Sequence, residues 1–181
     1  MLKNNNSCCN NSSCCSIPSK NDFKKSIVID FLYLDVTICE RCRGTDNSLD
    51  EAISEVSKVL EATGVTVIVN KNNIVNEELA RKYKFVTSPT IRINGNDIQM
   101  DFKESLCESC GDLCGDDVDC RVWIYEGKEY TKPPKAMIIE AILKEVYGGG
   151  IAKQEEQDYI MPDNLIKFYN SKKSRIPNNS L

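Results

Sequence analysis

The chain has 181 residues, ten cysteines, no histidine and a formal net charge of −4. That balance argues against a broad basic surface for nucleic acid, and the missing histidines exclude Cys-His and Ser-His-Asp catalysis and every imidazole metal ligand. No apolar run approaches the roughly 20 residues that a membrane helix needs, and residues 1–16 lack the apolar stretch of a signal peptide, so a cytoplasmic protein with neither nucleic acid nor membrane as partner is expected.

Residues 1–25 are rich in Asn, Ser and Lys, show no periodicity and read as a flexible arm carrying Cys8, Cys9, Cys14 and Cys15. Residues 26–36, with Ile27-Val28-Ile29 and Phe31-Leu32-Tyr33-Leu34, read as a strand buried on both faces. A loop then holds Cys39-Glu40-Arg41-Cys42, and the best cap for the following helix is Ser48, with Glu51 completing a capping box. Leu49, Ala52, Ile53, Val56, Val59 and Leu60 form its apolar stripe, and Gly64 stops it. Residues 65–69 read as a second buried strand. Asn76 caps a short helix over 77–83. After Ser88-Pro89 comes a third strand, 90–93, followed by an Asn94-Gly95 hairpin turn.

Ile98, Met100 and Phe102 alternate as a strand would, and 121–125 is a second candidate for the return strand. Between them, residues 103–120 are acidic, cysteine-rich and read as an insertion. A last helix follows Pro133-Pro134, with Met137, Ile138, Ala141, Ile142 and Val146 on its apolar face, and Gly148-Gly149-Gly150 ends it. The expected organisation is therefore an arm over 1–25, a domain over 26–150 and a tail over 151–181. Asp163 can cap a short amphipathic helix in that tail, and 159–169 either packs on the domain or recruits a protein partner.

The order of strand, cysteine loop, helix, strand, helix, X-Pro, strand, hairpin and helix resembles the thioredoxin/glutaredoxin superfamily, in a branch with a cysteine-rich insertion before the last helix. The resemblance rests on residues 27–35 as first strand, Cys39-Glu40-Arg41-Cys42 and Ser88-Pro89-Thr90-Ile91. It implies an α/β three-layer sandwich with a mixed central sheet of four to five strands and flanking helices. It also implies a cis bond at Pro89, beside which an extended substrate pairs with the backbone of Ser88. Relatives begin their helix at the first cysteine. Here Gly44-Thr45-Asp46-Asn47 follows Cys42, so the dithiol is expected in a longer loop.

The chemistry this implies is thiol–disulfide exchange on a protein or small-molecule disulfide, with no cofactor required. Cys39 attacks and Cys42 resolves, Arg41 and Arg43 favour the thiolate, and Asp30 in the first strand either handles protons or is a strand-edge carboxylate. Cys107, Cys110, Cys114 and Cys120 form a second group. They suit a zinc ion, an iron–sulfur cluster of uncommon spacing, or disulfides, although the surrounding acids oppose a tetrathiolate that already carries two negative charges. The vicinal pairs of the arm suit thiophilic ions such as arsenite, mercury(II) or copper(I). A soft-metal or metalloid carrier, using the arm with Cys39 and Cys42, is therefore the alternative to an oxidoreductase.

Overall fold

The computed structural model describes residues 25–114, 117–151 and 158–175, with 113, 114 and 175 described in backbone alone. The expected arm with Cys8, Cys9, Cys14 and Cys15 lies outside these residues, as does the side chain of Cys114.

Strand β1 (Lys25–Tyr33) is central. It pairs in parallel with β2 (Val65–Asn73) and antiparallel with β3 (Thr90–Ile93), which pairs in turn with β4 (Asn96–Asp97). The sheet is therefore mixed, in the order β2-β1-β3-β4. The parallel β1–β2 pair requires a crossover, which helix α1 (Glu40–Ala62) supplies. Because strand side chains alternate, Ile27, Ile29 and Phe31 share one face of β1 while Leu32 lies on the other. The first set joins Ile91 and Ile93 of β3 and packs against α1 and helix α4 (Lys135–Tyr147). Leu32 belongs to a second cluster with Ala80 of helix α2 (Glu77–Lys82) and with helix α5 (Asp163–Arg175). Helices thus flank a four-stranded mixed sheet, as a three-layer α/β sandwich requires.

Several local expectations hold in detail. The Asn76 side chain caps α2 by accepting from Leu79 N–H at 2.9 Å. Asn94 (φ 50°) and Gly95 (φ 84°) make the β3–β4 turn in the left-handed region. Others are corrected. Helix α1 starts at Glu40, not after Ser48, because its buried stripe continues backwards through Thr45 to Cys42. Gly44 suits that stretch: a Cβ there would meet Lys132 Cδ at 3.0 Å. Strand β2 is longer than expected and is an edge strand, with Ile68 and Val69 partly exposed, because only β1 pairs with it.

The presumed insertion is ordered differently from a loop. Strand β5 (Lys103–Leu106), helix α3 (Glu108–Cys114) and strand β6 (Asp119–Tyr125) follow one another, and β6 continues through a tight turn into β7 (Lys128–Tyr130). They form a separate sheet, β5-β6-β7. Residues 121–125 therefore return to this second sheet rather than to the main one, and residues 98–102 form no strand.

Two polar anchors fix β6. The buried Arg121 guanidinium donates to both carboxylate oxygens of Asp97, at 2.8 and 2.5 Å. It also lies over the rings of Phe102 and Trp123, at 4.6 and 4.8 Å from their centroids. At the start of the strand, the Asn164 side chain of α5 accepts from Asp119 N–H and donates to Asp119 C=O. Met161, Leu165, Phe168 and Tyr169 are buried in the second cluster, and Tyr169 donates its hydroxyl to Ile74 C=O at 2.9 Å.

Candidate thiol centre

Cys39 is the N-cap of α1, and its sulfur accepts from Cys42 N–H at 3.4 Å. A thiolate at this position is favoured by the positive end of a 23-residue helix. The approach to it is shaped by Asp35, whose Oδ1 accepts from Thr37 N–H, Thr37 Oγ1 and Ile38 N–H. Burial opposes the charged form of Asp35, but those hydrogen bonds outweigh it and hold the carboxyl below its usual range.

The Ser88–Pro89 bond is cis, as the resemblance implied. Ser88 Oγ lies 3.3 Å from Cys42 Sγ and accepts from Leu34 N–H at 3.2 Å. The backbone position expected to receive a substrate is already paired: Arg121 N–H donates to Ser88 C=O at 2.7 Å. Strand β6 of this chain occupies that edge. Thr87 Oγ1 also donates to Glu104 Oε1 on β5 at 2.6 Å, tying the same turn to the excursion.

This docking brings sulfur to sulfur. The sulfur atoms of Cys39, Cys107, Cys110 and Cys120 all lie within 4.8 Å of one another. Cys39 and Cys107 are 3.8 Å apart, and Cys110 and Cys120 are 3.3 Å apart. Cys107 N–H donates to Val118 C=O, and the N–H groups of Cys110 and Gly111 donate to Cys107 C=O, so a tight turn presents Cys107 and Cys110 together. All five described cysteines are buried and free. Cys42 stands beside the four-sulfur group and faces Ser88.

Their acidities diverge because the thiols share hydrogen bonds. Hydrogen bonds from Cys107, then Cys110, Cys120 and Cys42, push Cys39 far down despite burial. Cys107 is also lowered, by Cys110 and then Cys120. Cys42 is pushed up by its hydrogen bond to Cys39 and then by burial, while Cys110 and Cys120 are raised first through Cys107.

Arg41 plays a part that sequence reasoning did not see. It was expected to act on the Cys39 thiolate. Instead its Nη1 donates to Ser105 C=O, Ser105 Oγ and Cys120 C=O, and its Nη2 donates to Leu106 C=O at 2.7 Å. One guanidinium therefore clamps β5, which leads into Cys107, and β6, which carries Cys120, to the helix that Cys39 caps. Arg43 donates to Thr37 C=O and pairs with Glu40. Asp30 accepts from Asn70 Nδ2 on β2 at 2.9 Å. A groove of about 700 Å³ opens beside the centre, with Arg41, Arg43, Lys132, Glu108 and Cys107 among its walls.

Among the described residues no helix is long and apolar enough to cross a membrane. No protein of curated function matches the chain, and no solved structure matches it. One family model does, over residues 27–142, a span that contains Cys39, Cys42, the cis bond and Cys107, Cys110 and Cys120. The chain belongs to that family, described as a domain of unknown function (DUF2703).

Proposed function

We propose that the domain is a thiolate metal-binding module, in which Cys39, Cys107, Cys110 and Cys120 hold one thiophilic d10 ion, zinc or a softer relative. The observation that carries this reading is the mutual approach of four sulfurs within 4.8 Å. A tetrahedral tetrathiolate with zinc–sulfur bonds of about 2.3 Å has sulfur–sulfur edges of about 3.8 Å. A disulfide needs two sulfurs and gives no reason for four to converge. The donor set is all sulfur, which selects zinc, copper(I) and similar ions over hard cations. Its two excess negative charges meet the N-terminus of α1, the Cys42 N–H bond to Cys39 and the Arg41 guanidinium on the Cys120 carbonyl. These offset the acidic residues of the excursion.

Reduced protein purified without air should carry about one equivalent of ion per chain by elemental analysis. Serine at any of the four positions should lower it sharply, and Cys42→Ser should leave it in place. Reduced, folded protein that takes up neither zinc, copper(I) nor arsenite would overturn the reading.

The second reading is the thioredoxin-like thiol–disulfide oxidoreductase. The capped Cys39-x-x-Cys42 and the neighbouring cis bond favour it. Against it stand the burial of both thiols and the strand already paired with Ser88. Turnover of a disulfide substrate, lost in Cys39→Ser, would establish this reading.

A further inference from the structure

The five thiols are not equivalent toward the outside. Cys39, Cys42, Cys110 and Cys120 are each 0% exposed, whereas Cys107 is 3% exposed and is the one of the five that lines the open groove. Cys107 Sγ sits 3.8 Å from Cys39 Sγ. A movement of about 1.8 Å closes that pair to a disulfide bond length. Cys39 in turn belongs both to the four-sulfur group and to the Cys39-x-x-Cys42 pair, and its sulfur accepts from the Cys42 backbone N–H at 3.4 Å. The sulfurs thus form a path from the groove to the core.

We propose that Cys107 is the entry sulfur of the centre, the one modified first by peroxide-class oxidants, and that Cys39 passes the resulting disulfide inward to Cys42. In the first step the Cys107 sulfur attacks one peroxide oxygen. The O–O bond breaks, the other oxygen leaves as water or alcohol, and Cys107 becomes a sulfenic acid. The Cys39 thiolate then attacks Cys107 Sγ, and the sulfenic oxygen leaves as water with the available protons. The two sulfurs have together lost two electrons to the peroxide. Finally Cys42 gives up its proton and attacks Cys39, the Cys39–Cys107 bond breaks, and Cys107 takes up a proton and returns as a thiol, with no further change in oxidation level.

The test uses reduced protein as purified without air, with whatever ion it holds, and its readout, the order in which disulfides form, is distinct from the elemental analysis above. One equivalent of hydrogen peroxide is added, samples are alkylated over time, and disulfides are mapped by mass spectrometry. The wild type should show Cys39–Cys107 first and Cys39–Cys42 last. Cys42→Ser should stop at Cys39–Cys107. Cys107→Ser should slow loss of the Cys39 thiol by roughly tenfold or more. Oxidation of Cys107→Ser at the wild-type rate would overturn the proposal. So would a wild-type time course in which Cys110–Cys120 or Cys39–Cys42 appears first, and that result stands even if a variant fails to fold. Should the protein bind no metal yet follow the expected order, only the metal reading falls.

Discussion

The two clusters on either side of the main sheet are held together by different forces. The cluster of β1, β3, α1 and α4 has fifteen buried members, all of them aliphatic or aromatic apart from Met137. The other also has fifteen, but five are cysteines, and Arg41, Arg121 and Asn164 fasten its edges through directed hydrogen bonds. The first is a non-directional apolar core that tolerates small shifts. The second depends on exact placement of sulfur and charge, and loses more when one partner is removed.

The largest test of this contrast is removal of the ion proposed for the four sulfurs. Structural zinc contributes roughly 10 kcal/mol of binding energy in small thiolate domains. A chelator should therefore strip hydrogen-exchange protection from 103–110, 117–120 and α5, while amides of β1 and α1 beyond Leu49 stay protected. Equal loss in both halves would erase the distinction.

Next is the buried pair. Asp97→Leu leaves the Arg121 charge without its carboxylate and should cost about 3–5 kcal/mol in denaturant unfolding. Adding Arg121→Met should recover most of it, because the cost lies in the stranded charge.

Arg41→Ala removes four hydrogen bonds to the excursion and is expected to cost about 1.5–3 kcal/mol, read as roughly a 10- to 100-fold weaker metal affinity by chelator competition. Arg41→Lys should restore little, since a point charge cannot reach all four acceptors. The matching change in the apolar half, Ile138→Val, should cost about 0.5–1.5 kcal/mol of stability and leave metal affinity unchanged.

The smallest effect is in acid. The Asp35 carboxyl is held below its usual range, so its contribution is complete above the unfolded value of about 4 and is lost as pH falls through the lower folded value. The amides of Thr37 and Ile38 should lose exchange protection in that window, ahead of α4.

These two halves were also unequally legible in the sequence. Periodicity marked the apolar stripe of α1 apart from Val59, which is exposed, the faces of β1 and α4 and the Asn94-Gly95 turn, because each is decided by neighbours a few residues apart. The start of α1 was misplaced because Gly44, Thr45, Asp46 and Asn47 are weak helix formers, and the burial of Cys42 and Thr45 that overrides them comes from tertiary packing. The sulfur set was only half visible. Grouping cysteines by proximity joined Cys107, Cys110, Cys114 and Cys120, whereas the fourth sulfur of the described set is Cys39, 68 residues before Cys107 in sequence. Nothing local announces that meeting. The available hint was the count of two C-x-x-C pairs in one chain without histidine.

The chain's one tryptophan sits on β6 with its ring against Arg121, fully enclosed, and belongs to the apolar cluster while its strand carries Cys120 to the thiols. Its emission is thus a native gauge of whether the excursion is seated. Detachment of β6 would move the indole from a cation-flanked, dry site into water, shifting its fluorescence to longer wavelength. Titrating metal or oxidant while watching that single band would follow both halves of the molecule at once, with no label added.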